Sequence, residues 1–251
     1  MRYAPGGGPL ESIPLQSTFG SSNLVRRLAP WGPTEAEPGL GVAERLAAWV
    51  GPLQAIQLQA VNQAVGTPAA GSKPGAKADL TGDVQRVRGV LASAIAKDPL
   101  ALAGIKPGDT EDHGYGPWQQ RHIELQRQMG QMCGALRDHA RQTVSRASPR
   151  LRQLATLDAA FEQLLADREA ALLPQTLSHL ERRYKALRAA HRATCEATGQ
   201  PDDPARWRAP GGWLRTFSDD WRQVLLAELD LRLEAVTGLA EALRQPSLFE
   251  T

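Results

Sequence analysis

Residues 213–244 read WLRTFSDDWRQVLLAELDLRLEAVTGLAEALR, and this stretch decides the fold. Leu214, Phe217, Trp221, Leu225, Leu229, Leu233, Val236, Ala240 and Leu243 recur at steps of three and four. That spacing is the α-helical period and puts one apolar stripe along a long helix. Such a stripe is stable only when other helices of similar length cover it. At about 1.5 Å per residue, helices of roughly 25–30 residues run about 40 Å. The sequence therefore predicts an all-α, elongated antiparallel bundle of long helices.

Working upstream, TGQPDDPARWRAPGG (198–212) reads as a loop. Before it, Leu177, Leu180, Tyr184, Leu187, His191 and Cys195 line another helix, and Pro174 marks a break or a new start. Leu151, Leu154, Leu157, Phe161, Leu164, Leu165 and Leu172 form a preceding stripe. Ser148-Pro149 opens that stripe as an N-cap followed by proline at the first helical position. Trp118, His122, Leu125, Met129, Met132, Leu136, Ala140 and Val144 give a further long helix. Residues 117–244 thus form the long-helix bundle, residues 98–116 a loop, and residues 245–251 a tail.

The N-terminal part is weaker. Residues 1–20 are rich in Gly, Pro and Ser and read as a flexible segment. Residues 21–97 predict a smaller helical subdomain or a cap on the bundle. It has a short helix capped by Ser21-Ser22-Asn23, a helical signal over 41–65 interrupted by Gly51-Pro52, a linker at 66–80, and a helix over 82–97. Val84, Val87, Leu91 and Ile95 share one face of that last helix.

Composition narrows the class. The 251 residues are 42% hydrophobic but only 5% aromatic, with little β-branched content, which excludes a sheet-centred fold. A net charge of +2 does not by itself call for a polyanion partner. Cys133 and Cys195 make neither a disulfide framework nor a metal quartet, and two thiols suit a cytoplasmic protein. The N-terminal stretch lacks the apolar run of a signal peptide. Residues 46–72 carry no charge, but Gly51-Pro52 and several Gln and Asn make them a poor membrane span.

Motifs for chemistry are absent. His113, His122, His139, His179 and His191 form no HExxH pair, and there is no CxxC, P-loop or nucleophile elbow. The expectation is a non-enzymatic chain with no cofactor. His191 lies on an apolar stripe and reads as a partly buried, hydrogen-bonded core histidine rather than a metal ligand with Cys195, because closed sites normally take four ligands. The pair Glu228 and Arg232 has the favourable i,i+4 order and reads as structural.

Charge is uneven. Residues 119–152 carry seven arginines against Glu124 and Asp138, whereas the final helix is acidic. Acidic and basic helices lying side by side account for this pattern. Arg182, Lys185, Arg188 and Arg192 recur at helical spacing and form a candidate partner-binding face. Nucleic acid is a weak candidate there, since no aromatic residues interleave the charges. Bundle stripes face a second copy or another protein equally well, so oligomeric state is not legible.

Gln245-Pro246-Ser247-Leu248-Phe249 resembles the short peptide with which bacterial replication and repair proteins hook the polymerase sliding clamp. Gln245 would be the polar anchor, and Leu248 and Phe249 the apolar ones. Pro246 departs from the usual Leu.

Seven segments together carry a wider resemblance: SSNLVRRL (21–28), ERLAAWVGPLQAIQL (44–58), VQRVRGVLASAI (84–95), WQQRHIELQRQM (118–129), SPRLRQLATLDAAFEQLLADREAALL (148–173), LERRYKALRAAH (180–191) and 213–244. They resemble the proteobacterial domain-of-unknown-function family 3348 over about residues 21–244. That family has no assigned activity and no catalytic residues to carry over. The resemblance implies a neighbourhood with genes for a proton-channel-like inner-membrane protein and a peptidoglycan-binding protein. It thereby implies a cytoplasmic accessory of an ion-driven envelope complex.

Overall fold

A computed structural model describes residues 22–31, 59, 79–106 and 113–245. Among these the secondary structure is helical: α1 (Asn23–Leu28), a 3-10 turn (Ala29–Trp31), α2 (Leu80–Ala96), α3 (Pro99–Leu102), α4 (Gly116–Ala147), α5 (Pro149–Thr198), α6 (Pro204–Trp207) and α7 (Trp213–Arg244). The expected helical signal over 41–65, apart from Gln59, lies outside the described residues. So do the segment 1–20, expected to be flexible, the expected linker 66–80 up to residue 78, and the tail beyond Gln245.

Local chemistry sets the helix ends. The Ser22 hydroxyl accepts from the Val25 N–H at 3.3 Å and opens α1. Ser148 caps α5 by accepting from the Leu151 N–H at 3.2 Å, and Pro149 occupies the first helical position, as the sequence predicts. α2 begins earlier than the spacing suggests, at Leu80, because the Asp79 carboxylate accepts from the Gly82 N–H at 2.9 Å. The predicted loop 98–116 is also broken. Asp98 accepts from the Leu100 N–H, Pro99 sits at the first position, and a turn of helix follows that buries Leu100.

Pro174 does not break the chain into two helices. α5 continues through it for 50 residues. A proline inside a helix removes one backbone bond and crowds the preceding turn, at a cost of about 3 kcal/mol. Packing on both sides offsets this. Downstream, Thr176, His179, Leu180 and Tyr184 are buried. Upstream, Leu151 and Ala155 are buried, and Asp158 and Glu162 are held by arginines of α4.

α4 and α5 form an antiparallel hairpin, and α7 returns parallel to α4. α7 is the central helix, packed against α1, α2, α4, α5 and α6. Leu225, Leu229 and Val236 of its apolar stripe are fully buried. α2 lies on α4 and α7, away from α5. Its Leu80, Val84, Leu91 and Ile95 join the same core as the long helices. At one end of that core the rings of Trp118, Phe217, Trp221, Tyr184 and Trp213 meet edge to face. Centroid separations are 5.1 Å for Trp118–Phe217, 5.3 Å for Trp118–Trp221, 5.0 Å for Tyr184–Phe217 and 5.3 Å for Tyr184–Trp213.

Charges support the pairing: the basic α4 lies beside the acidic α7, and its closest ion pairs run to α5. Arg137 grips Asp158 with two bonds of 2.7 and 2.8 Å, and Arg141 reaches the same carboxylate at 2.7 Å. The basic α4 is therefore matched by α5. Two acids of α7 pair with arginines of other helices: Asp220 binds Arg183 at 2.8 Å and Asp230 binds Arg88 at 2.9 Å.

Candidate functional site

The C-terminal third of α5 and the connection to α7 gather the densest surface chemistry. From Lys185 to Thr198 only Leu187, Arg188, His191 and Cys195 are half-buried, and the rest of the helix is exposed. Gly199 ends the helix at φ 65°, a left-handed conformation open to glycine, and its N–H bonds back to the Cys195 carbonyl. The chain then reverses and brings Asp202 over α5. Asp203 accepts from the Ala205 N–H at 3.0 Å and starts α6.

Three different donor atoms converge here. Asp202 Oδ1 lies 2.8 Å from His191 Nε2, and Cys195 Sγ lies 3.7 Å from the same nitrogen. All three atoms lie within 4.8 Å of one another. Trp207 Nε1 donates to Asp202 Oδ1 at 2.6 Å, and the Trp207 ring packs on Trp213 at 5.6 Å. Burial alone would raise the Asp202 carboxyl, but hydrogen bonds from Trp207 and His191 hold it below the usual carboxylate range. His191 is thus a partly buried, hydrogen-bonded histidine, as its stripe position predicts. Asp202 and Trp207 carried no signal of their own beyond the turn residues around them.

The predicted basic face wraps the same helix end. Arg182 and Lys185 are exposed, and Lys185 Nζ sits 2.7 Å from Glu181. Beneath Arg182 lies His179, whose imidazole is pushed down by burial and then by the Arg182 charge. Arg188 is half-buried and Arg192 exposed. Burial and then the Arg192 charge lower the Arg188 guanidinium, while Asp202 acts in the opposite sense. Arg183, off the predicted face, binds Asp220 and stands 5.4 Å over the Trp31 ring, tying α5 to α7 and to the N-terminal turn. Gln245 is exposed at the end of α7; Leu248 and Phe249 lie outside the described residues.

A second polar group is interior. Glu228 of α7 is 1% exposed, and its carboxylate accepts from Arg232 at 2.9 and 3.1 Å and from Gln126 at 3.1 and 3.3 Å. Arg232 also reaches Glu169 at 2.9 Å. The i,i+4 pair is present as predicted, but its burial was not legible. His122 is fully buried with Nε2 3.8 Å from Glu228, and neither ring nitrogen has a hydrogen-bond partner. Burial lowers its pKa to about 4, so it is neutral at physiological pH. This group fastens α4, α5 and α7.

Among the described residues no helix is long and apolar enough to cross a membrane. Residues 11–245 match the family described as Protein of unknown function (DUF3348). No curated protein and no solved structure matches the chain.

Proposed function

The chain belongs to the family of unknown function DUF3348, and from that premise we propose that it is a non-enzymatic helical adaptor. It captures a protein partner in the cytoplasm as the accessory of an ion-driven inner-membrane or envelope complex. One observation carries the adaptor role. The end of α5 from Lys185 to Thr198 is exposed on all but one stripe and, with Arg182 one turn before it, displays Arg182, Lys185 and Arg192 at helical spacing. A solvated basic helix end on a rigid bundle suits an acidic protein surface, for which charge steers encounter and fixes orientation. The choice of an envelope complex as partner is supported by the family resemblance alone.

A second reading is supported by the tail. Gln245 follows directly on α7, and in the sequence Leu248 and Phe249 come three and four residues after it, the spacing of the clamp-docking peptide.

The test is capture from the native host by three chains: the full chain, the chain ending at Arg244, and the charge-reversed variant R182E/K185E/R188E. Envelope-complex components captured by the first two and lost from the third support the adaptor reading. Sliding clamp captured by the full chain and lost on removing the tail supports the second. Envelope components retained by the charge-reversed variant at undiminished yield would remove the α5 face from consideration.

A further inference from the structure

We infer that His191, Cys195 and Asp202 form a zinc-binding site that pins the α5–α7 connection to the end of α5. The inference is independent of the adaptor reading. His191 and Cys195 stand four residues apart, so one helix face presents Nε2 and Sγ together. Their separation is 3.7 Å. A metal bound by nitrogen at ~2.0 Å and thiolate at ~2.3 Å with tetrahedral angles requires about 3.5 Å between those atoms. Asp202 Oδ1 lies 2.8 Å from Nε2 and needs only a small outward shift to share an ion instead of a proton. The carboxylate comes from a loop fixed at both ends, by the Gly199 cap and by the Asp203-capped α6.

Two further features favour an ion over a simple latch. A latch between the loop and α5 is complete with His191, Asp202 and Trp207, yet the Cys195 sulfur converges on the same point. Trp207 Nε1 bonds the Asp202 carboxylate at 2.6 Å and orients it, the outer-shell arrangement that supports metal ligands. One imidazole, one thiolate and one carboxylate is a borderline-soft set that suits Zn²⁺ and not Mg²⁺ or Ca²⁺. Thiolate and carboxylate together neutralise a divalent ion, so Arg188 and Arg192 beside the site face a neutral centre. The cluster is open on the Asp202 side, which is 37% exposed, and this admits the ion and leaves a fourth position for water.

The experiment uses tag-free full-length protein titrated with Co²⁺, read by its sulfur-to-cobalt charge-transfer absorption, followed by displacement with Zn²⁺. One equivalent of Co²⁺ should give the band, and Zn²⁺ should abolish it. C195S and H191A should each lose the band or weaken binding by at least about a hundredfold, since outer-shell losses alone cost 10–100-fold. C133S, which alters the buried thiol of α4, should retain it. Far-UV circular dichroism confirms that each variant is folded, and C195S is close enough in size to guard against misfolding as an explanation. Absence of the band in the wild-type chain, or a band that survives C195S, overturns the site.

Discussion

His122 makes stability depend on pH in a way that can be isolated. Its imidazole is fully buried and held at a pKa of about 4 by that burial. The nearby Glu228 carboxylate does not rescue it, being engaged by Arg232 and Gln126. In the unfolded chain the same group titrates near ~6.5. Between these values the unfolded state binds the extra proton, so folding stability is intact above pH ~6.5 and falls as the pH drops toward about 4. At pH 5 the loss amounts to about 2 kcal/mol, and at pH 7.5 it is close to zero. Leucine at this position keeps the volume, removes two unpaired nitrogens and cannot titrate. His122→Leu should therefore gain about 2 kcal/mol on the wild type between pH 7.5 and pH 5, measured as the difference of urea-unfolding free energies. Parallel stability curves for the two proteins across that interval would refute the reasoning, because the buried neutral imidazole would then make no linkage contribution.

Two other perturbations probe the frame. Burial alone would raise the Asp158 carboxyl, but the hydrogen bonds from Arg137 and Arg141 bring it below its ordinary value. Asp158→Asn leaves both guanidinium groups short of an anion and should cost about 2 kcal/mol by urea denaturation, with a further drop in salt sensitivity. A Cβ on Gly212 would lie 2.3 Å from the carbonyl oxygens of both Arg206 and Trp207. Gly212→Ala should lower stability by about 1–3 kcal/mol and loosen the 199–212 connection, seen as faster amide exchange there than in α4.

What could be read from sequence depended on whether the deciding force was local. The stripe of 213–244, the Ser148-Pro149 start and the Ser22 cap are local, and the structure reproduces them. The start of α2 was missed because Asp79 lies at the end of a Gly/Pro-rich stretch whose composition masks a single good cap. Pro174 was misread because its penalty is local while its compensation, from Leu180, Tyr184 and the Arg137–Asp158 contacts, is tertiary. The individual arginine partners were not legible, for a geometric reason. A one-residue turn at Ser148 joins α4 to α5, so positions nearly equidistant from it face each other, and Arg137 and Arg141 meet Asp158 and Glu162 before any acid of α7. At the candidate site, His191 and Cys195 share a legible stripe. Asp202 does not, because only the reversal at Gly199 folds it back onto the helix.

The central position of α7 bears on how the chain is made. Synthesis is vectorial, and the helix that packs against α1, α2, α4, α5 and α6 is the last described one to leave the ribosome. α2 emerges well over a hundred residues before it, an interval on the order of ten seconds at ~5–20 residues per second. Through that time Leu80, Val84, Leu91 and Ile95 have only α4 to lean on, and the aromatic rings of Trp118 and Tyr184 lack Phe217 and Trp221. The nascent chain therefore carries an uncovered greasy seam until its final helix zips in, and a message cut short before codon 213 would yield a sticky intermediate in place of a smaller protein.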